Sequence, residues 1–234
     1  MFLTKILMRQ RKNAYDKNLQ NILSCLQGQE GARLLDLGCD DGKWTTRLGK
    51  AVETNQLHGV EIVEGRRAKA SEQGVDAISA NLNEKLPYED AFFDVIHANQ
   101  VIEHLSDTDL FISEIFRLLK PNGYMIISTE NLASWHTLFS LALGFMPFSL
   151  TNVTLKTADL GNPFAPHNGE EFYETVSWLH KTVFTTKGLV HFFALHGFKV
   201  NKIMGAGYYP FGELFSKLDP YHSAFITIKA TKVS

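Results

Sequence analysis

Over the first 130 positions, short unbroken apolar runs alternate with segments whose apolar residues recur at helical spacing. This is the pattern of βαβ units closing a parallel sheet. Residues 10–27 read as a leading helix. The run Arg33-Leu34-Leu35-Asp36-Leu37 reads as a buried parallel strand, because such a strand is covered on both faces and need not alternate; Gly38 ends it. A helix over 42–51, a strand from Leu57 to Glu61, a helix over 64–73 and a short strand from Val75 to Ile78 follow. Phe92 to His97 supplies a fourth strand. Leu110, Phe111, Ile115, Leu118 and Leu119 then mark a helix over 107–120, which Pro121-Asn122-Gly123 stops before a fifth strand from Tyr124 to Ser128. The alternation lapses from Asn131 to about Phe184. Thr185 or Thr186 can cap one more helix, with Leu189, Phe192 and Phe193 facing inward and Gly197 at its end; Phe198–Ile203 and Ala224–Ala230 complete seven strands. The expected fold is α/β, a Rossmann-like, mostly parallel seven-stranded sheet with helices on both faces. It forms one domain over 1–234, with 131–184 inserted before the sixth strand as a lid or acceptor-binding region.

Composition narrows the function classes. The 234 residues are 44% hydrophobic, enough for one core. A net charge of -2 with mixed signs leaves no footprint for gripping phosphate backbones, so no nucleic-acid partner is expected. Cys25 and Cys39 fit a reducing compartment, and the N-terminal stretch lacks the long apolar run and cleavage site of a signal peptide. The apolar stretch from Leu132 to Leu150 is interrupted by Ser134, His136, Thr137, Ser140 and Pro147, so no membrane span is expected and a cytoplasmic location is the default.

The chemistry concentrates in the turn Asp36-Leu37-Gly38-Cys39-Asp40-Asp41-Gly42, where a strand enters a helix and two glycines let a ligand approach the backbone. Glu61 ends the next strand, where a carboxylate can accept two hydrogen bonds from vicinal ribose hydroxyls. With LLDLGCDDGKWT, GVEIVEG, ISANLNEKLPYEDAFFDVIHANQVIEHL and LLKPNGYMIIST in that order, residues 30–130 resemble the class I S-adenosylmethionine-dependent methyltransferases. The resemblance implies that Asp36, Gly38, Cys39 and Gly42 surround the amino-acid part of the cofactor and that Glu61 and Ile62 serve the ribose segment. It places Asn81 and Leu82 beside the base, and Asn99 and Gln100 below the methionine moiety. Two positions depart from the family pattern. Asp40 stands where glycine is usual, so the loop is bulkier and more acidic; Asn81 stands where an acid is common, keeping a donor and an acceptor without the charge.

Methyl transfer from a sulfonium is an in-line displacement, so alignment and exclusion of water matter more than covalent catalysis. His104, in Glu103-His104-Leu105, is the candidate base or substrate contact; His136, His167 and His180 fall in the irregular segment. Residues with close metal-ligand spacing are not found, so no metal is expected. The segment from Asn131 to Leu150 is rich in Leu, Phe and Trp. Its helical spacing predicts packing over the sheet edge, and the alternative is an apolar mouth for a lipid-like or aromatic acceptor. Tyr173, Trp178 and Phe184 can stack on a sugar or ring, and Asn168-Gly169 is a tight-turn signal. NLASWHTLFSLALGFMPF, GNP and HKTVFTTKGLVHFFALHGF resemble a subgroup acting on glycans, lipids or related metabolites, with ubiquinone-like methylation in the same set. The expected activity is therefore methyl transfer from S-adenosylmethionine to a small-molecule, glycan or lipid-like acceptor. Two alternatives stand beside it: a degenerate cofactor-binding module, and a nicotinamide-dependent oxidoreductase, whose G-x-G-x-x-G fingerprint lacks its middle glycine here.

Overall fold

The computed structural model describes residues 2–165, 178–209 and 213–233, with backbone alone for 2–8 and 213. His167, Asn168-Gly169 and Tyr173 lie outside the described residues. The strands are β1 (Arg33–Leu37), β2 (Gln56–Val60), β3 (Asp76–Ile78), β4 (Phe93–Asn99), β5 (Leu119–Glu130), β6 (Phe198–Ala206) and β7 (Phe225–Lys232). They form a single sheet in the order β3-β2-β1-β4-β5-β7-β6, in which β7 runs antiparallel to both of its neighbours. The helices are α1 (Phe2–Leu23), α2 (Lys43–Val52), α3 (Glu64–Glu72), α4 (Thr108–Leu118), α5 (Trp135–Ala142), α6 (Thr186–Leu195) and α7 (Glu213–Leu218).

Successive residues of the central strands feed two cores, as a doubly covered sheet requires. Leu35, Ile96 and Ile127 pack with Phe111, Ile115 and Leu118 of α4 and Phe193 of α6. Leu34, Val95 and Ile126 pack on the opposite face with Ile22 of α1 and Leu48 and Val52 of α2. Asp107 caps α4 by accepting the Leu110 N–H, and Thr185 caps α6 by accepting the Gly188 N–H.

Three expectations change. Helix α1 ends at Leu23 rather than 27, because tertiary partners take the following backbone: Lys229 Nζ donates to the Cys25 carbonyl at 2.9 Å and Gln27 N–H donates to the Tyr124 hydroxyl at 3.2 Å. The Pro121-Asn122-Gly123 stop is a bulge inside β5. The register jumps from Phe93↔Leu119 to Val95↔Tyr124, and Asn122 takes a left-handed φ of 63°. The third change is in α5, which reverses the expected packing: Thr137 and Ser140 are buried while Phe139, Leu141 and Leu143 are at least half exposed.

The segment between β5 and α6 leaves and rejoins the sheet at one place. Asn131 and Phe184 form a parallel bridge, and Leu132 N–H donates to the Phe184 carbonyl at 2.9 Å. The strand order reverses between β1 and β4, so the carboxyl ends of the first four strands diverge around a crevice on that edge.

Candidate functional site

That crevice is a cavity of about 560 Å³, within the range of small-molecule sites. Asp36, Gly38, Cys39, Glu61, Ile62, Asn81, Leu82, Asn99 and Gln100 line it, and His104 lies on its far wall. Gly42 does not. Its φ of 77° sets the entry into α2, and a Cβ there would meet the Ala70 Cα of α3 at 2.7 Å, so this glycine serves helix packing. Gly38 is the glycine on the cavity: its φ is 77°, and its N–H and that of Cys39 both donate to the Val60 carbonyl, at 2.9 and 3.1 Å. Burial and the nearby acids Asp36 and Glu61 push the Cys39 thiol up to about 12, so it is a neutral wall rather than a nucleophile.

Glu61 is 8% exposed and organises the turn as well as facing the cavity. One carboxylate oxygen accepts the Asp40 N–H at 3.2 Å and the other accepts the Val63 N–H at 2.8 Å. A carboxylate oxygen has two lone-pair sites, so each retains capacity for a ligand hydroxyl. Asp40 occupies the left-handed region at φ 48°, which explains why glycine would suit the position. Its carboxylate turns to Arg66, 3.4 Å away, and the Arg66 guanidinium lies 4.8 Å from the centre of the Trp178 ring. The extra acid thereby helps tie the turn to the return segment over the cavity. Asn81 spends its amide on its own loop: Nδ2 donates to Glu84 at 2.8 Å, and Oδ1 accepts from Asn83 N–H at 3.0 Å and from Asn83 Nδ2 at 3.1 Å. The second Nδ2 hydrogen remains for a ligand, and Ile62 and Leu82 add apolar surface to the same cavity.

The floor holds a residue the sequence reading missed. His97 is 1% exposed, its Nδ1 lies 2.7 Å from the Asp36 carboxylate, and Asp36 also accepts from Thr45 Oγ1 at 2.5 Å. Donation from Nδ1–H to Asp36 leaves the Nε2 lone pair on the cavity, where it has no partner among the described residues. The buried Gln100 Nε2 likewise lacks a partner there, and Gln100 is held at φ 55° by donation from its N–H to the Ser128 carbonyl. Two unpartnered polar atoms on residues lining one cavity offer partners to a polar ligand.

Helix α1 supplies a second missed contribution. Buried Asn18 donates to Asn99 Oδ1 at 3.0 Å and accepts from Ser128 Oγ and Thr227 Oγ1 at 2.8 Å each, which fixes Asn99. Tyr15 of the same helix lines the cavity. Glu103, His104 and His180 bring one ligand atom each within 4.8 Å of one another. Glu103 is fully buried, and burial raises its carboxyl to about 7 even though His180 opposes the shift. Burial lowers His104 to about 4, so its ring is neutral near pH 7.

A smaller cavity of about 100 Å³ adjoins the end of β5, with Glu130, His136, Phe148 and Phe225 on its walls. Phe225 meets Tyr15 edge-on at 6.2 Å, so these two rings stand between the cavities. Among the described residues, no helix is long and apolar enough to cross a membrane.

Residues 7–201 match a family model described as a methyltransferase domain. A ubiquinone biosynthesis O-methyltransferase of Rhodopseudomonas palustris is 35% identical over 133 residues, covering 55% of this chain and 49% of that protein. The chain thus spans about half the length of the curated relatives it matches. Among solved structures, a SAM-dependent methyltransferase from Thermotoga maritima is similar at TM-score 0.61 and 20% identity, over 97% of this chain and 93% of that one. The [4+2]-cyclase SpnF is similar at TM-score 0.61 and 19% identity, over 93% of this chain and 81% of that one.

Proposed function

The chain belongs to the methyltransferase domain family of class I S-adenosylmethionine-dependent enzymes, and on that premise we propose that it methylates a hydroxyl oxygen of an amphiphilic, lipid-like acceptor. The residues on the cavity suit the family's cofactor. Glu61 faces the position a ribose would take, Ile62 and Leu82 offer a flat apolar border to a base, and the Gly38 turn leaves room for an amino-acid moiety. The His97 lone pair, aimed by Asp36, supplies an acceptor for an ammonium group. When bound, the cofactor supplies an electrophilic methyl carbon on a sulfonium. The methyl carbon leaves sulfur as a neutral thioether departs and the acceptor's hydroxyl proton is released to solvent, so the protein's part is to align the acceptor oxygen and exclude water from the line of attack.

The observation that carries the cofactor half of this reading is the convergence of Gly38, Glu61, Leu82 and Asn99 on one cavity at the strand-order reversal. The acceptor half is supported by the apolar residues exposed on α5, by the apolar cavity behind Tyr15 and Phe225, and by the O-methyltransferase activity for which the relatives are named. Residues 131–184 act in this reading as the lid that shapes the acceptor site. The test is transfer of labelled methyl from S-adenosylmethionine to a panel of a prenylated catechol in detergent, a short-chain catechol and a hexose. The expected result is transfer to the prenylated catechol in preference to the others. Cofactor binding without transfer to any member would favour a binding module, since one fold hosts many functions.

A further inference from the structure

We propose that Glu103, His104 and His180 form a divalent transition-metal site at the partition between the two cavities. The three side chains offer the two-imidazole, one-carboxylate donor set that holds catalytic Zn²⁺ or Fe²⁺ with positions left open. Their ligand atoms already lie within 4.8 Å of one another. Metal–ligand bonds of ~2.0–2.1 Å at tetrahedral angles need ligand separations of about 3.4 Å, so a contraction of at most about 1.4 Å would close the set.

Three features distinguish this group from a chance encounter of polar residues. Glu103 is 1% exposed; one of its carboxylate oxygens accepts from Thr129 Oγ1 at 2.9 Å, and the other has no partner among the described residues. A carboxylate buried in this way calls for a cation or a proton. Both histidines also place Nδ1 against a backbone carbonyl, His104 at 3.3 Å from Leu179 and His180 at 2.7 Å from Ser149. Donation from Nδ1–H fixes the tautomer and leaves Nε2 as the lone-pair donor, the outer-shell arrangement that metal-bound imidazoles use. Finally, the segment bearing His180 is anchored on the segment bearing Glu103: Lys181 N–H and Thr182 N–H both donate to the Glu103 carbonyl, at 2.7 and 3.2 Å.

The location gives the cation a role. His104 lines the larger cavity, whereas Ser149, whose carbonyl takes His180, lines the smaller one. A cation here would sit where an acceptor entering from the apolar side meets the cofactor, and an acceptor hydroxyl oxygen could fill an open coordination position. That role rests on the methyl-transfer reading above, but cation binding itself does not.

The test is titration of the purified, metal-stripped full chain with Zn²⁺ by calorimetry and with Co²⁺ by visible absorption, followed separately by titration with S-adenosylhomocysteine. One equivalent of cation should bind, with the d–d bands of low-coordinate Co²⁺. Glu103→Gln keeps the shape and the Thr129 contact, and together with His180→Gln it should weaken binding at least about tenfold, since even loss of an outer-shell partner costs that much. His191→Gln, at an exposed position away from the cluster, should bind as the parent does. Equal binding by the parent and both cluster variants would overturn the site. Absence of binding by a folded parent that still binds S-adenosylhomocysteine would also overturn it, while leaving the methyl-transfer reading intact. Binding that depends on the cluster in a protein that ignores S-adenosylhomocysteine would support the site and count against that reading.

Discussion

Replacing Glu61 with alanine removes two kinds of interaction at once, and their magnitudes can be separated. Toward a ligand, the loss is that of charge-assisted hydrogen bonds to the ribose, worth about 1.5–3 kcal/mol. At about 1.36 kcal/mol per decade, this corresponds to a dissociation constant raised about 12- to 160-fold. Toward the protein, the Asp40 and Val63 amides lose their acceptors in a place where the side chain is only 8% exposed. The fold should therefore lose about 1–3 kcal/mol as well. Glu61→Gln should fall between, because its carbonyl oxygen can still accept from one amide while its NH₂ opposes the other. Calorimetric titration with S-adenosylhomocysteine, at a temperature where circular dichroism shows each variant folded, reads the first effect; denaturant midpoints read the second. Parental affinity in a folded Glu61→Ala protein would refute the ribose assignment. A loss of affinity with no change in midpoint would instead refute the claim that this carboxylate holds the turn together.

Other expectations follow from single contacts. Gly42→Ala should destabilise the fold by about 2 kcal/mol or more, from a left-handed φ and a Cβ driven into the α3 backbone, and a normal melting temperature would contradict that packing role. Asn18→Ala strips Ser128 and Thr227 of a shared acceptor and releases Asn99. It should cost about 2–4 kcal/mol, with weaker cofactor binding as the independent readout. Burial lowers His136 from 6.5 to about 4, so the unfolded chain binds the extra proton in that interval. Stability is then fully present above pH 6.5 and falls as pH drops toward 4, by at most about 3 kcal/mol. His136→Phe should flatten this part of the pH profile of the denaturant midpoint.

The sheet was legible because buried parallel strands write themselves as short apolar runs, and Leu34, Ile96 and Ile127 fall where such runs predict. The glycine turn and Glu61 were legible because strand ends at a reversal of strand order are where ligands meet backbone. Gly42 was misread as a ligand contact because a turn signal does not reveal whether the missing Cβ makes way for a ligand or for Ala70. The burial of His97 was visible in its apolar strand, but its orphaned Nε2 depends on Asp36 from a neighbouring strand. Asn18 gave no signal, since its function arises only when α1 lies across β5 and β7. The Glu103–His104–His180 group escaped a search for close ligand spacing because its third member arrives on the distant return segment. Helix α5 has ordinary helical spacing, yet the face that spacing marks as core is turned outward.

The bridge between Asn131 and Phe184 closes the excursion between β5 and α6 at its base, and the Lys181 and Thr182 amides on the Glu103 carbonyl fasten its return arm a second time. Because the entropy of closing a loop grows only logarithmically with its length, changes in the length of the stretch between those two fastenings should cost the sheet beneath little. Trp178 and Lys181 of that return arm line the larger cavity, so an exchange that includes it carries cavity residues with it. Grafting only the part before Trp178 would leave the lining of that cavity as it is.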